Sequence, residues 1–390
     1  MRREVVLTGA GVVTAVGRGV EAFWTALLEG RSGIRPVSLF DPSPYQARTA
    51  AEIDHVPEDP LGETAERGHL LALAAATDAL ASCGDFGGPR DGLVVGTTLG
   101  GNRSFTEWLC GRAPAAALPE STVPAATRLL ARRTGARGPV LTVSVACASG
   151  AAAIGAGAAL IRRGDADRVL AGGYDALSEF VFSGFDSLRA LTRTCPKPFD
   201  RARDGLALGE GAGFVLLEEA ESARRRGARP FAVLRGHGSA ADAHHMTRPT
   251  PGGEGLARAV AAALGDAGET AGRVDFVSTH GTATPFNDRM EAAALKRVFG
   301  ETLGEIPVNS IKPALGHTLG AAGALEGVMT ALVLERGQIP PTLNHHEMEP
   351  GLGLNVVAGG PVKPSHPVSL AVSTSSAFGG MNVALVLERV

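Results

Sequence analysis

Short runs of β-branched and other apolar residues, each closed by glycine, alternate along the chain with longer segments rich in alanine and leucine. The short runs are EVVLTGAG, DGLVVGTTLGG, PVLTVSVACAS, RVLAGG, GAGFVLLEE, FAVLRGHG, VDFVSTHGT, IPVNSIKP and LAVSTSSAFGG. Runs this short, with little polar interruption, predict strands buried on both faces. Their alternation with helical segments predicts an α/β protein.

The second half echoes the first. VLTVSVA leads into a small-residue helix that ends at IRRGDADRV, and IPVNSIK leads into GHTLGAAGALEGVMTALVLERGQI. DGLVVGTTLGG and VDFVSTHGTATP form a second such pair. Two similar halves are therefore predicted, residues 1–224 and 225–390, meeting in EEAESARRRGARPF. Any two βα units with glycine-rich turns share part of this likeness, so the pattern alone leaves the duplication open.

At 390 residues and 44% apolar, the chain can bury a large core. A net charge of −3 argues against general binding to nucleic acid or a membrane surface. The start, MRREVVLTGAGVV, reads as a strand entering a glycine turn rather than a signal peptide. No apolar run approaches the roughly 20 residues of a membrane-spanning helix. The four cysteines, Cys83, Cys110, Cys147 and Cys195, lie far apart, with neither zinc-site spacing nor disulfide density, which predicts a reducing, cytoplasmic setting.

Cys147 stands where a strand gives way to a helix, so the unsatisfied N–H groups at the helix start would stabilise a thiolate. The same residue among small apolar neighbours also reads as a buried hydrophobe, and the segment alone does not choose. VSTHGTATPFND places His280 just past a strand, and NSIKPALGHTLGAAGALE does the same with Lys312 and His317. Open α/β sheets put their ligands there, although either ring could simply bond a backbone carbonyl. Nucleotide and metal sites are rejected. Thr14 breaks the glycine fingerprint in TGAGVVTAVG, GEGAG follows no strand, and nothing completes a ligand set around His244–His245 or His345–His346.

VACASG, PFDRARDGLALGEGAG, DAHHMTRPTPGG, THGTATPFND, NSIKPALGHTLGAAGALE and SSAFGGMNVALVLE, in this order over essentially the whole chain, resemble the β-ketoacyl-[acyl carrier protein] synthases. The resemblance implies a duplicated thiolase fold, layered α-β-α-β-α with two mixed five-stranded sheets. It implies an acyltransferase carrying out decarboxylative Claisen condensation, with Cys147 holding the acyl chain as a thioester and His280 and His317 donating to the malonyl-derived enolate. Lys312 would keep the imidazoles neutral and pair with Glu326. The backbone N–H groups of Cys147 and Phe378 would form the oxyanion hole. Thr282 and Thr284 would bind the phosphopantetheine arm, His245 would stand near its entrance, and Leu99 would line the acyl tunnel across a dimer interface.

No bound metal or cofactor is implied, since the acyl carrier protein delivers the phosphopantetheine. The implied partners are that carrier and a second subunit, either the same chain or a chain-length-factor-like sister. The short segment before PFD resembles type II polyketide and polyene ketosynthases, with housekeeping fatty-acid elongation as the alternative and a non-catalytic chain-length partner as a rival from another class. Cys147 with both histidines argues against the latter. A thiolase would need a second cysteine late in the chain, and none follows Cys195. Departures from the family pattern are Val145 in VAC, Pro313 in NSIKP, and Ser376 and Ala377 in TSSAFGG, which predict altered packing and less backbone freedom in the gating loop.

Overall fold

A computed structural model describes residues 3–390. Every short apolar run becomes a strand, and the strands fall into two sets of five with one plan. The first set runs in the order Val140–Val143, Asp91–Gly96, Arg168–Asp175, Gly211–Glu219, Val5–Thr14. The second runs Pro307–Asn309, Phe276–Ser278, Leu370–Ser376, Met381–Glu388, Ala232–Ala241, with Asn355–Val356 added outside. In each set the first two pairings are parallel and the next two antiparallel. The sets join through a short antiparallel contact, Val6 opposite Val233 and Leu7 opposite Ala232.

Helices fill the layers between and outside the sheets. Arg67–Leu80 and Ala125–Thr134 cover the first set, and Glu254–Ala267 and Pro285–Phe299 cover the second. Between them lie Ser149–Arg163 and Ala322–Arg336, packed on each other. Every residue from Ala322 to Leu334 is buried, so this helix has no polar face for a periodic pattern to reveal. The two central helices approach closely because their contacts are glycine. A Cβ on Gly150 would lie 2.7 Å from the Gly320 carbonyl, and one on Gly323 would lie 2.8 Å from the Ala151 Cβ. An added Cβ at either position would force the two helices apart.

A small sheet, Ile34–Pro36, Thr49–Ala51 and Leu208–Gly209, lies beside the seam. Among the described residues, no helix is long and apolar enough to cross a membrane.

Candidate active site

Cys147 sits in a tight turn between the strand Val140–Val143 and the helix Ser149–Arg163. Ala146 before it has φ of 50°, a left-handed conformation uncommon for a residue with a Cβ and usually seen where a site imposes it. The Ser149 hydroxyl accepts from the Val145 N–H at 3.0 Å and lies 2.6 Å from the Ala146 carbonyl, fixing the turn. Cys147 is 6% exposed. Burial pushes its thiol up to about 12, against the pull of the Lys312 ammonium. The start of the helix favours the anion, and desolvation works against it.

His280 lies two residues past the strand Phe276–Ser278. Its N–H donates to Glu291 Oε1 at 2.6 Å, and the Gly281 N–H donates to Glu291 Oε2 at 2.8 Å. The Thr374 hydroxyl donates to the same carboxylate at 2.8 Å. Lys312 Nζ stands 3.3 Å from His280 Nδ1, donates to the His280 carbonyl at 2.5 Å, and pairs with Glu326. An ammonium has only protons to offer, so Nδ1 accepts and the ring's own proton sits on Nε2. Burial, then Lys312, then His317 hold the His280 pKa well below the ordinary range.

The His317 backbone is clamped by the small sheet: its N–H donates to the Ala207 carbonyl at 2.7 Å, and its carbonyl accepts from the Gly209 N–H at 3.0 Å. That is the work of the GLALGEGAG stretch. Burial and Lys312 also keep this imidazole neutral. The two rings meet edge to face, with centroids 5.3 Å apart.

Cys147, His280, His317, Thr282, Thr284, His245 and Phe378 line one open cavity of about 370 Å³. Thr282 and Thr284 place their hydroxyl oxygens 2.9 Å apart. His245 is exposed at the mouth, its Nδ1 accepting from the Thr247 and Arg248 N–H groups. Phe378, 38% exposed, stacks on Phe185 with centroids 5.4 Å apart. Leu99 is not in the cavity lining; it packs half-buried in an apolar cluster with Cys147, Phe182 and Leu319. In the gating loop Ser376 donates to Asn382 at 2.8 Å, and Asn382 donates to Asp242 at 2.8 Å, tying the loop to the 242–250 segment.

Sequence reasoning missed Glu291, Asp288 and Phe185. Asp288 accepts from the N–H groups of Phe199 at 2.7 Å and Ala283 at 3.2 Å, and burial raises it to about 7. Nothing in PFNDRMEAAA marks these two carboxylates as buried. Arg203 is buried between Asp288 and Glu349, while Arg201 is exposed and pairs with Glu347 at 2.6 Å. His345 lies 2.9 Å from the Pro198 carbonyl, a structural contact. Among the described residues, no group of three or more acidic, cysteine or histidine side chains could hold a metal.

The duplicated layers, with a cysteine and two neutral imidazoles at their seam, define an α/β protein of the thiolase-fold class. The β-ketoacyl synthase N-terminal domain matches residues 2–223 and the β-ketoacyl synthase C-terminal domain matches residues 231–346. The chain belongs to the β-ketoacyl synthase family. It is 39% identical, over 99% of its length and 97% of the relative's, to the tetracenomycin polyketide synthase ketoacyl synthase alpha subunit of Streptomyces glaucescens. It is 35% identical, over 100% of its length and 99% of the relative's, to the 3-oxoacyl-[acyl-carrier-protein] synthase 2 of Coxiella burnetii. The structure of the ishigamide ketosynthase/chain length factor matches with a TM-score of 0.94 at 36% identity, covering all of both chains. A type II PKS acyl-carrier protein in complex with its ketosynthase bound to the hexaketide gives 0.92 at 29% identity, again covering all of both chains.

Proposed function

We propose that the chain catalyses decarboxylative Claisen condensation between an acyl group held on Cys147 and a malonyl group on an acyl carrier protein, in a type II polyketide or polyene pathway. The observation that carries this reading is the shared cavity, with Cys147 and both imidazoles on its wall and Lys312 turned to His280 Nδ1. In the first step the Cys147 sulfur attacks the acyl thioester, and its proton leaves with the departing carrier thiol. The backbone N–H groups of Cys147 and Phe378 would hold the tetrahedral oxyanion.

Malonyl-carrier then enters and its carboxylate leaves as CO2, so the electron pair of the broken C–C bond becomes an enolate. The Nε2–H of His280, with His317, donates to the enolate oxygen and leaves the carbon free to attack. The enolate carbon attacks the Cys147 thioester carbonyl, and collapse of this second tetrahedral intermediate releases the β-ketoacyl-carrier and expels the Cys147 thiolate, which takes a proton from solvent. Thioester exchange, loss of CO2 and attack by the enolate carbon involve no change of redox state, and the phosphopantetheine arrives on the carrier past Thr282, Thr284 and His245. Housekeeping fatty-acid elongation is the second reading, favoured by the likeness to the 3-oxoacyl synthase.

A second subunit, identical or a chain-length-factor-like sister, is proposed on the outer edge of the sheet. There the strand Val140–Val143 exposes Val140 and Leu141 beside unpaired backbone groups.

The test is a thiol-directed acyl mimic followed by mass spectrometry, together with partial reactions. Labelling should map to Cys147. Cys147→Ala should abolish condensation yet still decarboxylate malonyl-carrier, whereas His280→Ala or His317→Ala should slow decarboxylation by about 10²–10³-fold. Label on another residue, or loss of decarboxylation with the sulfur alone, would refute this division of roles.

A further inference from the structure

Asp175 ends the strand Arg168–Asp175 and is 1% exposed. Its carboxylate accepts from two loops belonging to different halves of the molecule. From the loop after the strand Asp91–Gly96 come the Thr97 hydroxyl at 2.7 Å and the N–H groups of Thr98 at 2.8 Å and Leu99 at 3.3 Å. From the other half comes the Gly320 N–H at 2.7 Å, three residues past His317. An ionised carboxylate is acceptor only, and these donors occupy both of its oxygens. Only glycine can present that N–H, since a Cβ on Gly320 would lie 2.6 Å from Asp175 Oδ2.

The network does not stop at Thr97. The Ser149 hydroxyl, which accepts from the Val145 N–H and fixes the turn around Cys147, shares its one proton between the Ala146 carbonyl at 2.6 Å and the Thr97 carbonyl at 3.2 Å. One connected set of hydrogen bonds thus runs from the Cys147 turn through Ser149, Thr97 and Asp175 to the turn that follows His317. No ion pair to Asp175 is found among the described residues. A buried carboxylate held by dipoles alone is costly to keep, and here it spans the boundary between the sulfur-bearing and imidazole-bearing loops.

From this bridge we infer that Asp175 is a positioning residue that sets the spacing between the Cys147 sulfur and the His317 ring, an inference that rests on the condensing reading above. Burial raises the Asp175 pKa, and while ionised its charge opposes the Cys147 thiolate, which gives a readout separate from spacing.

The experiment compares the full chain with Asp175→Asn, Thr97→Val and Thr97→Ser. Three readouts are followed: alkylation of Cys147 by iodoacetamide against pH, decarboxylation of malonyl-loaded carrier, and condensation with a carrier-bound acyl primer. In D175N, condensation should fall about a hundredfold while decarboxylation stays within about threefold, because the partial reaction does not need the sulfur in register. The alkylation midpoint should move to lower pH as the nearby anion is lost. T97V should change in the same directions by less, and T97S should behave like the parent; this pair carries the test if D175N does not fold.

Wild-type condensation in D175N and T97V, or a uniform loss of all three readouts together with thermal stability, overturns the inference. A parent protein that neither acylates Cys147 nor decarboxylates malonyl-carrier refutes the condensing reading instead. The alkylation rate of Cys147 then reads the placement of its turn, and D175N and T97V alkylating at the parent rate overturn the role of Asp175.

Discussion

Lys312 takes its charge into the interior in the company of Glu326 and two imidazoles, and each partner restricts the others. Burial raises Glu326 to about 7, while the ammonium pulls it back. The imidazoles respond in the opposite direction, because for them burial and the neighbouring cation act together. Removing Lys312 alone would leave an uncompensated buried carboxylate, so its worth lies in the set. A third buried histidine gives a cleaner measurement. His69 is held at about 4 instead of 6.5 by burial, partly opposed by Glu120. Between those values the unfolded chain binds a proton that the folded chain refuses, so stability is complete above pH 6.5 and falls as the pH drops towards 4. The loss from this one residue is about 3 kcal/mol. Urea melts at pH 7 and pH 4 should show a smaller acid loss in His69→Gln than in the parent protein, by about that amount.

At the scale of elements, the central helices show how a stretch of small residues becomes a precise contact. Gly150 meets backbone rather than side chain across the seam, and backbone cannot rotate away. Gly150→Ala should therefore cost about 2 kcal/mol, while Gly265→Ala, in the helix Glu254–Ala267 with nothing within 4 Å of its new methyl, should gain about 0.5–1 kcal/mol. Thermal melts of the two variants check the opposite signs. The element types were legible because buried strands and alanine-rich helices differ in length and composition. The small sheet was not: Ile34–Pro36, Thr49–Ala51 and Leu208–Gly209 are too short to carry a period. The strand Met381–Glu388 was read only as part of a motif. Cys147, His280, Lys312 and His317 stood out at strand ends, and the pairing of Lys312 with Glu326 came with the family resemblance. Glu291, Asp288 and Asp175 did not, because a carboxylate in a helix or at a strand end looks the same in sequence whether it meets water or three amide protons.

For the whole molecule, the outermost strand of the first sheet is where the second subunit is proposed to dock. Leu141 is 43% exposed on that strand, and its neighbours on the open side are unpaired N–H and C=O groups. Leu141→Lys should shift the assembly towards single chains in sedimentation velocity, without changing the melting temperature of the isolated subunit by more than about 0.5 kcal/mol equivalent. An unchanged sedimentation coefficient would place the partner elsewhere.

The glycine seam also constrains how such a protein can diversify. With no spare room where Gly150 and Gly320 touch, change can be accommodated at the rim, in the aromatic and polar segments near Phe185, His245 and Ser376, while the centre cannot accept an added side chain. Breadth of product and rigidity of the reaction chamber can then be inherited separately.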